Sequence, residues 1–163
     1  MAKYSANVPS FTTEAVGDAS AYADAKYIAL QGVAAVRTQI TEVYVGGQAA
    51  ASAPQYLLFA RDSTIGATAL SGVRTALLDA TASAPAGLAL SFSTSTTKPQ
   101  RSATLSLLNL TFNAFGGIVR WVAPPGGELS MYGATASLGE VSLSGFTGTT
   151  PGLVGAHIIY EMV

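Results

Sequence analysis

Leu88, Leu90 and Phe92 alternate with Ala89, Ser91 and Ser93, the period-2 pattern of a strand that lays one face on a core. A second such face begins at Leu105 and Leu107 and resumes at Leu108, Leu110 and Phe112, one residue out of phase. That jump predicts a β-bulge near Leu107, because one extra residue turns every following side chain over. Runs rich in Tyr, Val, Ile, Leu and Phe read as further short strands: Lys26 to Leu30, Arg37 to Val45, Gln55 to Ala60, Ile118 to Val122, Glu128 to Met131, Leu138 to Leu143 and Ala156 to Met162. Gly116-Gly117, Pro124-Pro125-Gly126-Gly127, Gly145 to Gly148 and Pro151-Gly152 punctuate them. About eight or nine short strands separated by turns, with no long helix for a parallel crossover, predict an all-β fold. The expected architecture is an antiparallel β-sandwich of jelly-roll type.

The first 25 residues read differently. Tyr4, Val8, Phe11 and Tyr22 are irregularly spaced, and Pro9 and Gly17 oppose a continuous helix. Residues 1–25 are therefore expected to form an extended N-terminal arm, with a short helical turn near Glu14 to Ala23, ahead of a single sandwich domain over residues 26–163. Such an arm orders only against a neighbour, which makes Tyr4, Val8 and Phe11 the candidate attachment residues. The stretch from Ala67 to Ala86 carries Val73, Leu77 and Leu78 without a clear period and reads as a loop or one helical turn.

Composition changes the picture in one respect. Only 10% of the 163 residues are charged, against about a quarter in ordinary soluble domains. Mean hydropathy is +0.39, yet no run reaches the roughly 18 apolar residues of a membrane helix. Ser, Thr, Ala and Gly take the place of charge. A surface so poor in charge suits a subunit packed against copies of itself or a larger assembly. The formal net charge of −1 provides no basic field for nucleic acid or an anionic membrane. Cysteine is absent, which removes disulfides and thiolate metal sites. Met1 to Ser10 has a lysine but no apolar run behind it, so no signal peptide is expected there.

Catalytic patterns are weak. His157 and Glu161 are four residues apart, about 13 Å along a strand and too far to share one metal ion. No G-x-S-x-G elbow accompanies the many serines. Glu128 and Glu140 are the only plausible carboxylate pair for glycoside hydrolysis, and both sit at turns or strand ends. Gly46-Gly47 follows Val43-Tyr44-Val45 without the later residues of a phosphate-binding loop, and reads as a tight turn. No enzyme activity, cofactor or metal is expected. Trp121 with Tyr132 is the alternative site, an aromatic platform for a glycan, although a lone Trp between Val119 and Val122 also suits a core.

Three segments carry a resemblance: Thr41-Glu-Val-Tyr-Val-Gly-Gly-Gln-Ala49, Leu108-Asn-Leu-Thr-Phe-Asn-Ala-Phe-Gly-Gly-Ile-Val-Arg-Trp-Val-Ala123 and Gly155-Ala-His-Ile-Ile-Tyr-Glu161. With them the chain from Thr41 onward resembles small structural proteins encoded among the virion genes of tailed bacteriophages, and most of all a capsid decoration (cement) protein. The resemblance implies a jelly roll or related sandwich on the outer capsid shell of the virion, bound to the major capsid protein. It also implies dimers or trimers on that shell; the scarcity of charge likewise predicts self-association, with a closed homotrimer favoured over a dimer because it leaves no surface to propagate, and the net charge predicts no nucleic-acid or membrane partner. A receptor- or glycan-binding module of a tail or head fibre is the alternative. The resemblance carries no site residues.

Overall fold

The computed structural model describes residues 2–13, 26–65, 73–84, 88–90, 99–133, 139–146 and 149–163. They form β1 (Ala2–Thr12), β2 (Lys26–Gln31), β3 (Arg37–Gly47), β4 (Pro54–Thr64), β5 (Arg74–Leu77), β6 (Leu88–Leu90), β7 (Gln100–Asn113), β8 (Ile118–Val122), β9 (Leu129–Tyr132), β10 (Glu140–Gly145) and β11 (Leu153–Met162). No helix occurs among the described residues. The expected helical turn near Glu14 to Ala23 lies outside them.

Two antiparallel sheets pack face to face as a β-sandwich. Sheet A runs β5-β1-β11-β3-β8, with β9 beside β8 along the same edge of β3. Sheet B runs β6-β2-β10-β4-β7. The pairings are nested: β1 with β11, β2 with β10, β3 with β8 and β9, β4 with β7. They look like one long antiparallel ribbon wound on itself. The long connection from β4 to β7 adds β5 outside β1 and β6 outside β2.

Alternation along each strand builds the core. Tyr4, Ala6 and Val8 of β1, Val154, Ala156, Ile158 and Tyr160 of β11, and Ile40, Val43 and Val45 of β3 face inward from sheet A. Ile28, Leu30, Leu57, Phe59, Leu110, Val141 and Leu143 meet them from sheet B. Bulges keep these faces in phase where the sequence slips. Phe59 pairs with Leu108 and Ala60 with Ser106, so Leu107 is the extra residue, where the phase jump predicted it. Thr41 is extra in β3, since Ile159 pairs with Glu42 and Tyr160 with Ile40, and its hydroxyl donates to the Ile159 carbonyl at 3.3 Å.

The N-terminal segment corrects the expectation of a free arm. Residues 2–12 are a strand of sheet A, paired with β11 on one side and β5 on the other. Tyr4 and Val8 belong to this chain's own core, and Tyr4 stacks on Tyr160 with ring centroids 5.5 Å apart. The irregular spacing has a physical cause: the register shifts between Val8 and Phe11, so Pro9 and Ser10 bulge opposite Gly155, a position that tolerates proline's missing N–H. Beyond the bulge Phe11 stacks on Tyr27 of β2, centroids 4.5 Å apart, and ties the two sheets together. The segment around Leu77 is also a strand, β5, rather than a loop or helical turn.

Two consequences are measurable. Gly47 lies where any Cβ would overlap the carbonyl of Ala114, in the turn that brings β7 round to β8. Gly47→Ala should cost about 3 kcal/mol, whereas Gly126→Ala, at φ +78 with open space around it, should cost about 1–2 kcal/mol; urea unfolding of both variants separates the two causes. Burial, with the neighbouring Tyr4 adding to it, pushes the Tyr160 hydroxyl from 10.0 up to about 12. The unfolded chain then loses that proton first, so stability present below pH 10 falls as pH rises toward 12, by roughly 3 kcal/mol. The Tyr160 hydroxyl has no hydrogen-bond partner. Tyr160→Phe should therefore leave stability at pH 7 unchanged or slightly higher and flatten the alkaline fall in denaturation curves at pH 9 and pH 12.

Candidate interaction face

The outer face of sheet A is open, and the cross-strand register sets its side chains in rows. One row runs Arg120, Tyr44, His157 and Asn7; the next runs Val122, Glu42, Ile159 and Ser5. Beyond the first row the face drops, because Ile118, Gly46 and Gly155 follow in register and two of the three have no side chain. The result is a groove of about 370 Å³. Its floor is built by side chains that lie across the glycines. A Cβ on Gly46 would meet the hydroxyl end of the Tyr44 ring at 3.1–3.4 Å. A Cβ on Gly155 would meet the Pro9 carbonyl oxygen at 2.8 Å and Gln48 Nε2 at 3.0 Å. Gln48 Nε2 donates to that same carbonyl at 2.8 Å.

Asn7, Tyr44, Gln48 and His157 supply the polar part of the groove lining, beside the apolar Val8, Ile118 and Ala156. His157 Nε2 is buried without a hydrogen-bond partner. His157 sits on β11, between β1 and β3, so it belongs to the middle of the sheet and not to an edge strand.

A second depression, of about 420 Å³, lies on the same face and has a different character. Leu78, Val122 and Ile159 line it, with Lys3, Glu42, Glu128 and Glu161 around them. Lys3 pairs with Glu161 at 3.2 Å. Arg120 grips Glu42 with two hydrogen bonds, 2.7 and 2.9 Å. The Arg120 hydrogen bonds hold the Glu42 carboxyl below its ordinary range, and Glu42 in turn raises Arg120. Exposed pairs of this kind add at most about 1 kcal/mol each; their main effect is to fix charge at the rim. Leu78 and Val122 are 51% and 52% exposed.

The outer face of sheet B is closed at its centre. Ala29, Ala60, Asp62, Glu140, Ser142 and Ser144 point away from the core, yet all are buried. Ser142 Oγ donates to Asp62 Oδ1 at 2.8 Å, and Gln31 Nε2 donates to Glu140 at 3.1 Å. Arg101, which pairs with Asp62 across β7 and β4, stands over the Phe146 ring at 5.4 Å. The few charges this chain has are thus partly spent inside.

The residues singled out from sequence fall elsewhere. Tyr4 and Val8 are buried in this chain's own core, and the half-buried Phe11 stacks on Tyr27. Trp121 pairs with Val43 and faces the core, whereas Tyr132 pairs with Arg37 on the outer face. They lie on opposite sides of sheet A and form no common platform. Glu128 lies just before β9, at the rim of the second depression, whereas Glu140 is in β10 of sheet B, so the two do not face one cleft. Gly46-Gly47 is no turn: both glycines are inside β3. The sequence signal that marked the groove was there, an aromatic residue followed by two glycines and a glutamine.

No protein-family model, no curated protein and no solved structure matches the chain.

Removing the Ser142 hydroxyl leaves Asp62 short of a donor in a buried setting. Ser142→Ala should lower unfolding stability by about 1–3 kcal/mol, read from urea denaturation. A change below about 0.5 kcal/mol, the usual scale of surface substitutions, would mean that this buried polar row holds nothing together.

Proposed function

We propose that this protein is a non-enzymatic virion structural protein of the capsid decoration type, which binds the outer shell and reinforces contacts between major capsid protein subunits. The observation that carries the reading is the nested strand pairing, β1 with β11 through β4 with β7. We take this winding as a jelly roll, an architecture used by capsid proteins, and the step from fold to role is one of analogy. The scarcity of charge supports it, since a charge-poor surface is cheap to desolvate when subunits pack. The resemblance of the segment from Thr41 onward to tailed-phage structural proteins points the same way.

The attachment surface in this reading is the second depression, with Leu78, Val122 and Ile159 as its apolar floor and the Pro124–Gly127 turn at its rim. A specific contact buries about 1,200–2,000 Å², and apolar area contributes roughly 25 cal/mol per Å² before association costs. Self-association into a closed homotrimer, with a dimer as the next choice, leaves no sticky surface to propagate.

The test is cosedimentation of the purified chain with empty shells of a tailed phage that carries it. Saturable binding in hundreds of copies per shell is expected, with a mass in solution or on the shell of three chains of 16.5 kDa. The double variant Leu78→Asp/Val122→Asp should fold and lose at least tenfold in shell affinity, because charge placed on an apolar contact must be desolvated. Failure of the native chain to bind shells, or a few copies per virion confined to the tail, would overturn the reading.

A further inference from the structure

We propose that the groove over Gly46 and Gly155 is a saccharide-binding site, shaped for one or two neutral sugar rings. Its volume, about 370 Å³, lies at the lower end of small-ligand pockets. The Tyr44 ring lies across Gly46, which has no side chain to lift it. An aromatic surface held in that way offers the apolar C–H face of a sugar a place to stack, while its hydroxyl remains a polar handle.

The polar walls are chemically unspent. Among the described residues the Asn7 amide, the Tyr44 hydroxyl and the His157 ring make no hydrogen bond within the chain, and Gln48 uses one N–H, on Pro9. Four side chains that both donate and accept, grouped around one aromatic ring, match the hydroxyls of a sugar better than they match any ion. No acid, lysine or arginine lines the groove; Arg120 and Arg74 stand only at the two ends of its row, beyond Tyr44 and Asn7, and Arg120 is already held by Glu42. An extended peptide is equally ill served: the strands beneath, β3 and β11, spend their backbone groups on neighbours at both sides. The site is also rigid. Gln48 is pinned by the carbonyl that the β1 bulge leaves at Pro9, and preorganisation of that kind favours a weakly bonded ligand.

The experiment is a titration of the ¹⁵N-labelled full chain with maltose, cellobiose, lactose and diacetylchitobiose, followed by amide shifts. At least one disaccharide should move the signals of Asn7, Gly46, Gln48, Gly155 and His157, leaving those of Trp121 and Tyr132 still. Tyr44→Ala should weaken that binding at least tenfold, and Tyr132→Ala should leave it intact. If Tyr44→Ala fails to fold by circular dichroism, the double variant Asn7→Ala/Gln48→Ala takes its place and must show the same tenfold loss. No shift with any of the four sugars, native-like binding by the folded variant, or tighter binding of glucose 6-phosphate than of the neutral sugars would each overturn the proposal. Shell binding and sugar binding use different depressions, so either proposal can be overturned while the other stands.

Discussion

Sheet A depends on the two-sided backbone ladder of β11. This strand pairs with β1 from the beginning of the described chain and with β3 from its first third, and all four of its inward residues are buried. Without it β1 would have only the four-residue β5 for company, and Tyr4, Ala6 and Val8 would have no sheet to sit in. In sheet B, β10 holds the equivalent place between β2 and β4. These two strands hold the centres of the sheets, while contacts such as Phe11 on Tyr27 join one sheet to the other. The groove is an extreme case, since His157 and Gly155 come from β11, Asn7 and Pro9 from β1, and Tyr44 and Gly46 from β3.

The two outer faces divide the labour of a surface. Sheet B turns small and polar side chains outward and has them buried, with Asp62, Arg101 and Glu140 among them. Sheet A keeps its outer face accessible and fixes four of its charges in two ion pairs, Lys3 with Glu161 and Arg120 with Glu42. Between these pairs the face offers apolar side chains such as Val122 and Ile159 and neutral polar groups such as Asn7 and Gln48.

The sequence pattern revealed strands wherever large apolar residues kept time. At β7 five such residues, Leu105 to Phe112, were enough to locate the bulge to the residue. At β1 the same kind of bulge erased the signal, because Ala6 is too small to mark a phase and the jump at Pro9 makes Tyr4, Val8 and Phe11 look unrelated. At β5 there was nothing to read: all four residues are exposed, so an edge strand made only by backbone pairing leaves no apolar trace. The groove was hidden for another reason. Glycine pairs usually signal a change of direction, but Gly46 and Gly47 run straight, one making room for a ring and the other for the Ala114 carbonyl. What a glycine omits can be read only once its neighbours are known.

The placement of β10 and β11 bears on how the chain is born. Both central strands come after all the strands they hydrogen-bond. As the polypeptide leaves the ribosome, β1 to β9 emerge with their edges open and their apolar faces wet, and neither sheet can close until the final quarter is made. Pairing over such separations is slow, and unpaired edges in the meantime invite association with other chains. Synthesis in a crowded cell therefore places a premium on chaperones that hold the unfinished chain apart.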